Sequence, residues 1–195
     1  MTDLKANNTR SPIDVIADAD GAMWVFGYGS LMWRPEFPHT EMSPALLRGY
    51  HRALCVYSTR YRGTAARPGV VMGLDRGGAC KGRAIRVAAE DARAVCDYLW
   101  DREMLGYAYQ PKWLPVRTPA GNVQALAFVV DRAQTTVYTG RLTAAQIADL
   151  VACGHGVKGT ALEYLENTID QLDQLGIGEG PLHHILALAR RQAAG

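Results

Sequence analysis

The amino-acid sequence predicts an α+β protein, a small mixed or antiparallel β-sheet or barrel flanked by helices. Three observations carry this. The first two-thirds of the chain alternates short strand-like apolar runs with glycine-rich breaks. One amphipathic helix interrupts that region, and the last third changes to helical spacing with capping signals. At 195 residues, 48% hydrophobic and 21% charged, the chain is of a size and composition that forms one well-cored domain.

The strand-like runs, in order, are Met23–Gly27, Leu46–Ser58, Val70–Leu74, Gly82–Ala88, Lys112–Thr118 and Val123–Asp131. "RYRGTAARPG" and "DRGGACKG" read as turn or loop stretches between them, and "TPAGN" as a hairpin connection. The interrupting helix runs from about Ala89 to Met104. Thr143 with Gln146 forms a capping box, apolar Ile147, Leu150 and Val151 follow, and Gly154 ends that helix. Thr160 with Glu163 repeats the start signal for a helix that runs to Gly176, and Pro181 opens the last one. Residues 1–21 read as a polar, mobile lead-in, and 22–192 as a single domain.

Composition also excludes several functions. A formal net charge of +2, with Lys and Arg scattered, gives no footprint for nucleic acid or an anionic membrane. No apolar stretch reaches the ~18 residues of a membrane span. The four cysteines, Cys55, Cys80, Cys96 and Cys153, lack CxxC spacing and read as reduced thiols of a cytoplasmic protein. No His/Cys cluster has ligand spacing, since His183 and His184 are adjacent and point to different sides of a helix, so no metal site is expected. "GYGSLM" fails as a dinucleotide fingerprint and as a nucleophile elbow, and "GHGVKGT" has the wrong order for a phosphate loop.

Two features remain. In "WVFGYGSLMWRP" an apolar strand enters two glycines around Tyr28, the pattern either of a strand bulge or of a loop whose amides approach a ligand. In "AAEDARAVCDYLWDREMLGY" the stripe Ala92, Val95, Cys96, Leu99 continues by four to Glu103. A carboxylate on an inward face has its pKa raised by burial, which suits a general base near neutral pH. Periodicity alone equally allows Glu103, in the last turn, to reach solvent or cap a neighbouring loop.

"VFGYGSLMWRP", "REMLGY" about seventy residues later and "LEYL" in a late helix together resemble the ChaC-like branch of the γ-glutamylcyclotransferases, as does "RPGVVMGL". The resemblance runs from about Trp24 to Ala189. Two departures stand out: "STRYRGTAARPG" looks shorter than in the animal relatives, and Leu105-Gly106 stands where the family has a glycine pair.

The resemblance implies a small, partly closed barrel flanked by helices and the cyclisation of a γ-glutamyl group to 5-oxoproline, with glutathione as the small-molecule partner. It assigns Glu103 as general base and acid. It places the substrate against Val25, Phe26, Gly27, Tyr28, Gly29, Ser30 and Leu31. Tyr164 matches a tyrosine near the substrate, although its spacing equally fits a packing role. Arg60 is a further candidate for pairing with a substrate carboxylate, or a solvated side chain. The nucleophile would be the substrate's own α-amine, so no cofactor or metal is implied. The alternatives are a cyclotransferase for other γ-glutamyl amines, and a silent binding or regulatory module that retains the loop.

Overall fold

The computed structural model describes residues 13–104, 108–140 and 142–193. Five strands, β1 (Met23–Gly27), β2 (Glu41–Ser58), β3 (Gly69–Val87), β4 (Tyr109–Thr118) and β5 (Gly121–Val130), close into a barrel in the order β1-β3-β2-β4-β5. All neighbours are antiparallel except β1 and β5, whose short parallel pairing at Trp24↔Ala125 and Val25↔Leu126 closes the ring. Four helices pack outside: α1 (Ala92–Glu103), α2 (Ala144–Cys153), α3 (Ala161–Gln174) and α4 (Gly180–Ala193). The expected α+β barrel with flanking helices is the fold observed. Among the described residues no helix is long and apolar enough to cross a membrane.

Strand β1 is the pivot of the core. Its odd and even side chains enter two different clusters. Trp24 and Phe26 pack in the cluster of α2, α3 and α4, with Leu165, Leu172 and Leu186. Met23 and Val25 pack with Val95, Cys96 and Leu99 of α1. A strand covered on both faces has no polar side to show, which is why "MWVF" is continuously apolar.

The stretch "DRGGACKG" is not a turn. β3 runs through it without interruption, paired along its length with β2. The register shifts between Arg48 and Tyr50, where Gly49 (φ 85°) faces Gly77 (φ 105°) and Gly78 (φ 68°). These glycines supply the positive φ that a bulge needs, and they bend the pair rather than reverse it. β2 also begins earlier than expected, at Glu41: β4 joins it only at Leu46 and Leu47, so Pro44 lies outside that pairing.

The capping signals behave as read. Thr143 Oγ1 accepts from the Gln146 amide at 3.3 Å, and Gln146 Oε1 accepts from the Thr143 amide at 2.9 Å. Thr160 Oγ1 accepts from the Glu163 amide at 3.0 Å. "GHGVKGT" forms a two-stranded hairpin between α2 and α3, β6 (His155–Gly156) and β7 (Gly159–Thr160). Gly154 ends α2 with φ −72°, and a Cβ there would lie 2.6 Å from the Arg62 carbonyl oxygen, so close approach and not a left-handed turn requires glycine.

The described part of the lead-in, from Ile13 on, is attached to the domain. Ile13 is buried in the α1-side cluster. Trp24 Nε1 donates to Asp18 Oδ2 at 2.7 Å and Trp113 Nε1 to the Asp14 carbonyl at 3.0 Å. Residues 1–12 and Leu105-Gly106 lie outside the described residues.

One buried cation crosses the molecule. Arg52 on β2 has a side chain with no exposure, and its guanidinium donates to the Tyr28 carbonyl, to the Lys81 carbonyl at 2.6 Å and to Glu179, between α3 and α4. An arginine left without one of its acceptors in such a site carries the desolvation penalty of that group. Glu179→Gln is therefore expected to lower unfolding free energy by roughly 1–3 kcal/mol, measured by urea titration. An unchanged midpoint would mean the pair contributes nothing.

Candidate active site

From Gly27 the chain leaves β1 and turns through a single 3-10 turn, Ser30–Met32. The turn is fixed by backbone bonds from Met32 to Gly29 (2.9 Å) and from Arg34 to Ser30 (2.7 Å). Two arginines anchor it from different sides. Arg52 Nε donates to the Tyr28 carbonyl, and Arg102 Nη2 on α1 donates to Ser30 Oγ at 3.1 Å. Arg102 also donates to the Pro35 carbonyl at 3.1 Å and to Tyr98 Oη at 2.8 Å. The end of α1 is thereby tied to the loop, and the next residue is Glu103.

The two loop glycines do different things. A Cβ on Gly27 would lie 3.2 Å from Leu31 Cβ and 3.3 Å from the Met32 amide nitrogen, so Gly27 lets the turn fold back on its own strand. A Cβ on Gly29 would meet no atom within 4 Å. Gly29 is one of the residues that line a cavity of about 90 Å³.

Tyr28, Gly29, Ser30, Leu31, Glu103 and Tyr164, all expected at the substrate, line this one cavity. Val25, Phe26 and Gly27 do not line it. They are buried behind the loop, Val25 and Phe26 in the two core clusters. Arg60 is exposed on the segment between β2 and β3, its guanidinium over the Tyr61 ring, and is not part of the lining.

Four further lining residues, Val71, Met72, Tyr109 and Phe128, escaped the sequence reading. Tyr109 Oη donates to the Met72 carbonyl at 2.9 Å, and the Met72 amide donates to Tyr164 Oη at 3.2 Å. The two phenols bond the carbonyl and the amide of one residue of β3. A register shift between Leu54 and Val56, where β2 carries the extra residue Cys55, lies opposite this point. Tyr164 keeps its own O–H proton to donate, because its oxygen is the acceptor in that bond. Arg62 stacks its guanidinium over the Tyr164 ring at 5.3 Å and sits 3.7 Å from Glu163.

The electrostatics follow from burial. Burial holds the Glu103 carboxyl above its ordinary range, and Arg102, with Nε 3.4 Å from Glu103 Oε1, only partly offsets that. The phenols of Tyr28, Tyr109 and Tyr164 are all raised by burial, with the nearby Glu103 charge adding to it, so they remain O–H donors at neutral pH. No thiol is poised to react here: burial pushes Cys55 up to about 12 and Cys80 and Cys96 to about 11. Ser30 Oγ accepts from an arginine and has no imidazole beside it to take its proton. Among the described residues no group of His, Cys, Asp or Glu could hold a metal ion. The arrangement offers one proton acceptor of raised basicity, facing a glycine loop and hydrogen-bond donors.

Comparison with known proteins bears on the same region. Residues 23–192 match the family model described as ChaC-like protein. The chain is 36% identical over 176 residues, 90% of its length, to a glutathione-specific gamma-glutamylcyclotransferase of Escherichia coli, of which that covers 76%. It is 34% identical over 160 residues to the human glutathione-specific gamma-glutamylcyclotransferase 1, covering 80% of this chain and 72% of that one. The fold is similar to the crystal structure of the yeast gamma-glutamyl cyclotransferase specific to glutathione, with a TM-score of 0.78 and 22% identity over 88% of this chain and 96% of that one.

Proposed function

The chain belongs to the ChaC-like family, and from that premise we propose that it is a γ-glutamylcyclotransferase that cleaves glutathione to 5-oxoproline and cysteinylglycine, with Glu103 as the base. The observation that carries this reading is the carboxylate of Glu103, raised in pKa and facing the glycine loop across one small cavity.

The substrate's α-amine attacks its own γ-carbonyl carbon and closes a five-membered ring. An α-amine ordinarily titrates near about 8 and is largely protonated at neutral pH, so a proton must be removed before or during attack. Glu103 takes it. The carbonyl oxygen gains negative charge in the tetrahedral intermediate, where the Tyr164 O–H and the loop amides around Gly29 are the donors available to stabilise it. The bond from the γ-carbon to the cysteinyl nitrogen then breaks as Glu103 returns that proton to the departing nitrogen. The ring nitrogen gives up its second proton to the freed amine, so that 5-oxoproline leaves as the neutral lactam and cysteinylglycine in its ammonium form. Holding the γ-glutamyl chain bent between loop and phenols makes the attack intramolecular in a productive geometry, worth several kcal/mol.

Incubation of the purified chain with glutathione, followed by detection of 5-oxoproline and cysteinylglycine, tests the reading. Turnover of γ-glutamyl amino acids with none of glutathione would give the site to a different γ-glutamyl substrate. Absence of any 5-oxoproline would overturn the reading.

The pH dependence follows from Glu103. The reaction needs the carboxylate form, so activity falls as pH drops through its pKa. Because that pKa is raised from 4.5, the acidic limb of kcat/KM is expected to have its midpoint above 4.5. A limb at or below that value would mean that a different group titrates.

A further inference from the structure

In the proposed reaction the γ-carbon of glutathione lies at Glu103, and the cysteinylglycine part runs outward from it. That tail ends in a carboxylate, yet among the described residues none that lines the cavity is basic. Two residues of extended chain span about 7 Å, so a partner for the carboxylate is to be sought within that distance of the lining.

Among the described residues, three arginine side chains bond or stack on residues of that lining. Arg52 is buried and committed to the Tyr28 and Lys81 carbonyls and to Glu179. Arg102 is committed to Ser30, the Pro35 carbonyl, Tyr98 and Glu36. Arg62 differs from both. Its guanidinium lies 5.3 Å from the Tyr164 ring, whose residue lines the cavity, and Nη1 donates to the Thr160 carbonyl at 3.2 Å. The exposed Glu163 carboxylate stands 3.7 Å from that same Nη1, beyond hydrogen-bond range. Among the described residues Nε and Nη2 have no acceptor, and the side chain keeps 19% of its surface open to solvent.

The fold also fixes where this arginine stands. The Arg62 amide donates to Ser58 Oγ at 2.9 Å. A Cβ on Gly69 would lie 2.1 Å from the Arg62 carbonyl oxygen and one on Gly154 2.6 Å from it, so its backbone is pressed between the start of β3 and the end of α2. The Arg60 and Tyr61 carbonyls accept from the Val157 and Lys158 amides at 2.9 Å each. From Gly69, β3 runs on to Val71 and Met72 in the cavity lining. A held guanidinium with two free donors matches the two oxygens of a carboxylate. We propose that Arg62 binds the glycine carboxylate of glutathione through Nε and Nη2 and so selects γ-glutamyl substrates that end in that carboxylate. The assignment rests on the reading that Glu103 acts on a γ-glutamyl group.

Kinetics of the full chain with glutathione and with its glycine ethyl ester, which lacks the charge, test it. For glutathione, Arg62→Gln is expected to raise KM about tenfold with kcat little changed, the mark of lost ground-state binding. For the ester, the wild type is expected to show that raised KM already, and the variant to add less than about twofold. Arg62→Lys keeps the charge without the fork and is expected to raise the glutathione KM about threefold. It is read in the same way if Arg62→Gln does not fold. A loss of kcat shared by both substrates would make Arg62 a support of Tyr164 and overturn the proposal. An equal rise of KM for both, or a wild type that does not distinguish acid from ester, would overturn it too. Titration of both compounds into Glu103→Gln, with and without Arg62→Gln, reads the same difference without turnover. A wild type that releases no 5-oxoproline would remove the proposed reaction, and this titration would still decide on Arg62. A preference for the acid that Arg62→Gln abolishes would uphold the assignment, and no preference would overturn it.

Discussion

Glu103→Gln is expected to reduce 5-oxoproline release by roughly 10²–10⁴-fold while raising the thermal midpoint near pH 8. Gln keeps the size and polarity of the side chain but cannot accept the amine's proton. The stability half follows from linkage. Burial raises the folded-state pKa of Glu103 above its unfolded value, so the folded protein binds more protons than the unfolded one between the two. Stability is then lost as pH rises through that window. A neutral Gln has no ionisation to suppress and escapes this loss, although it gives up part of the attraction to Arg102, 3.4 Å away. The wild type should therefore approach the variant in stability as pH falls below the unfolded value. Product assays and thermal melts from pH 4 to 8 read both halves. A folded variant with near-normal turnover would take Glu103 out of the mechanism.

Gly29→Val is expected to leave the melting temperature nearly unchanged and to cut kcat/KM by about 10²-fold or more, since misplacement of a reacting group by about 1 Å costs that much. The expectation rests on two observations: a Cβ on Gly29 would meet no protein atom within 4 Å, and Gly29 lines the cavity, where a valine side chain is expected to compete with the substrate. Gly27→Ala is the structural counterpart. Its Cβ meets Leu31 and Met32 at 3.2–3.3 Å, so stability should fall while each folded molecule retains activity. A non-cyclisable γ-glutamyl analogue should bind the Gly27 variant and not the Gly29 variant. Retained affinity in Gly29→Val would mean that the loop does not cradle the substrate. Leu31→Met, which conserves volume, should change both quantities little.

The legible part of the site was the part written contiguously. The glycine loop is one stretch, and Glu103 announced itself as a charge on the buried stripe of a single helix. Tyr109 and Met72 could not be found that way, because they meet only when β3 and β4 are brought to one end of the barrel, and nothing local marks them. Arg52 was equally silent, since an arginine in a strand ordinarily marks a solvated face. Glycines misled in "DRGGACKG", where a bulge and a turn demand the same positive φ, and only the pairing partner, Gly49, tells them apart. The helical third was legible nearly to its ends, because the Thr143 and Thr160 caps act on amides three residues away.

The Arg52 clamp has a consequence for the order in which the protein is made. Its contact with Glu179 spans 127 residues of chain. At about 5–20 residues per second, a ribosome needs roughly 6–25 s to travel from one partner to the other. Throughout that interval the guanidinium that holds the Tyr28 carbonyl lacks its counter-charge, even after the strands and Glu103 have been synthesised. The glycine loop is fully braced only when the chain has passed residue 179, so a nascent chain carries Glu103 well before it carries a finished cavity.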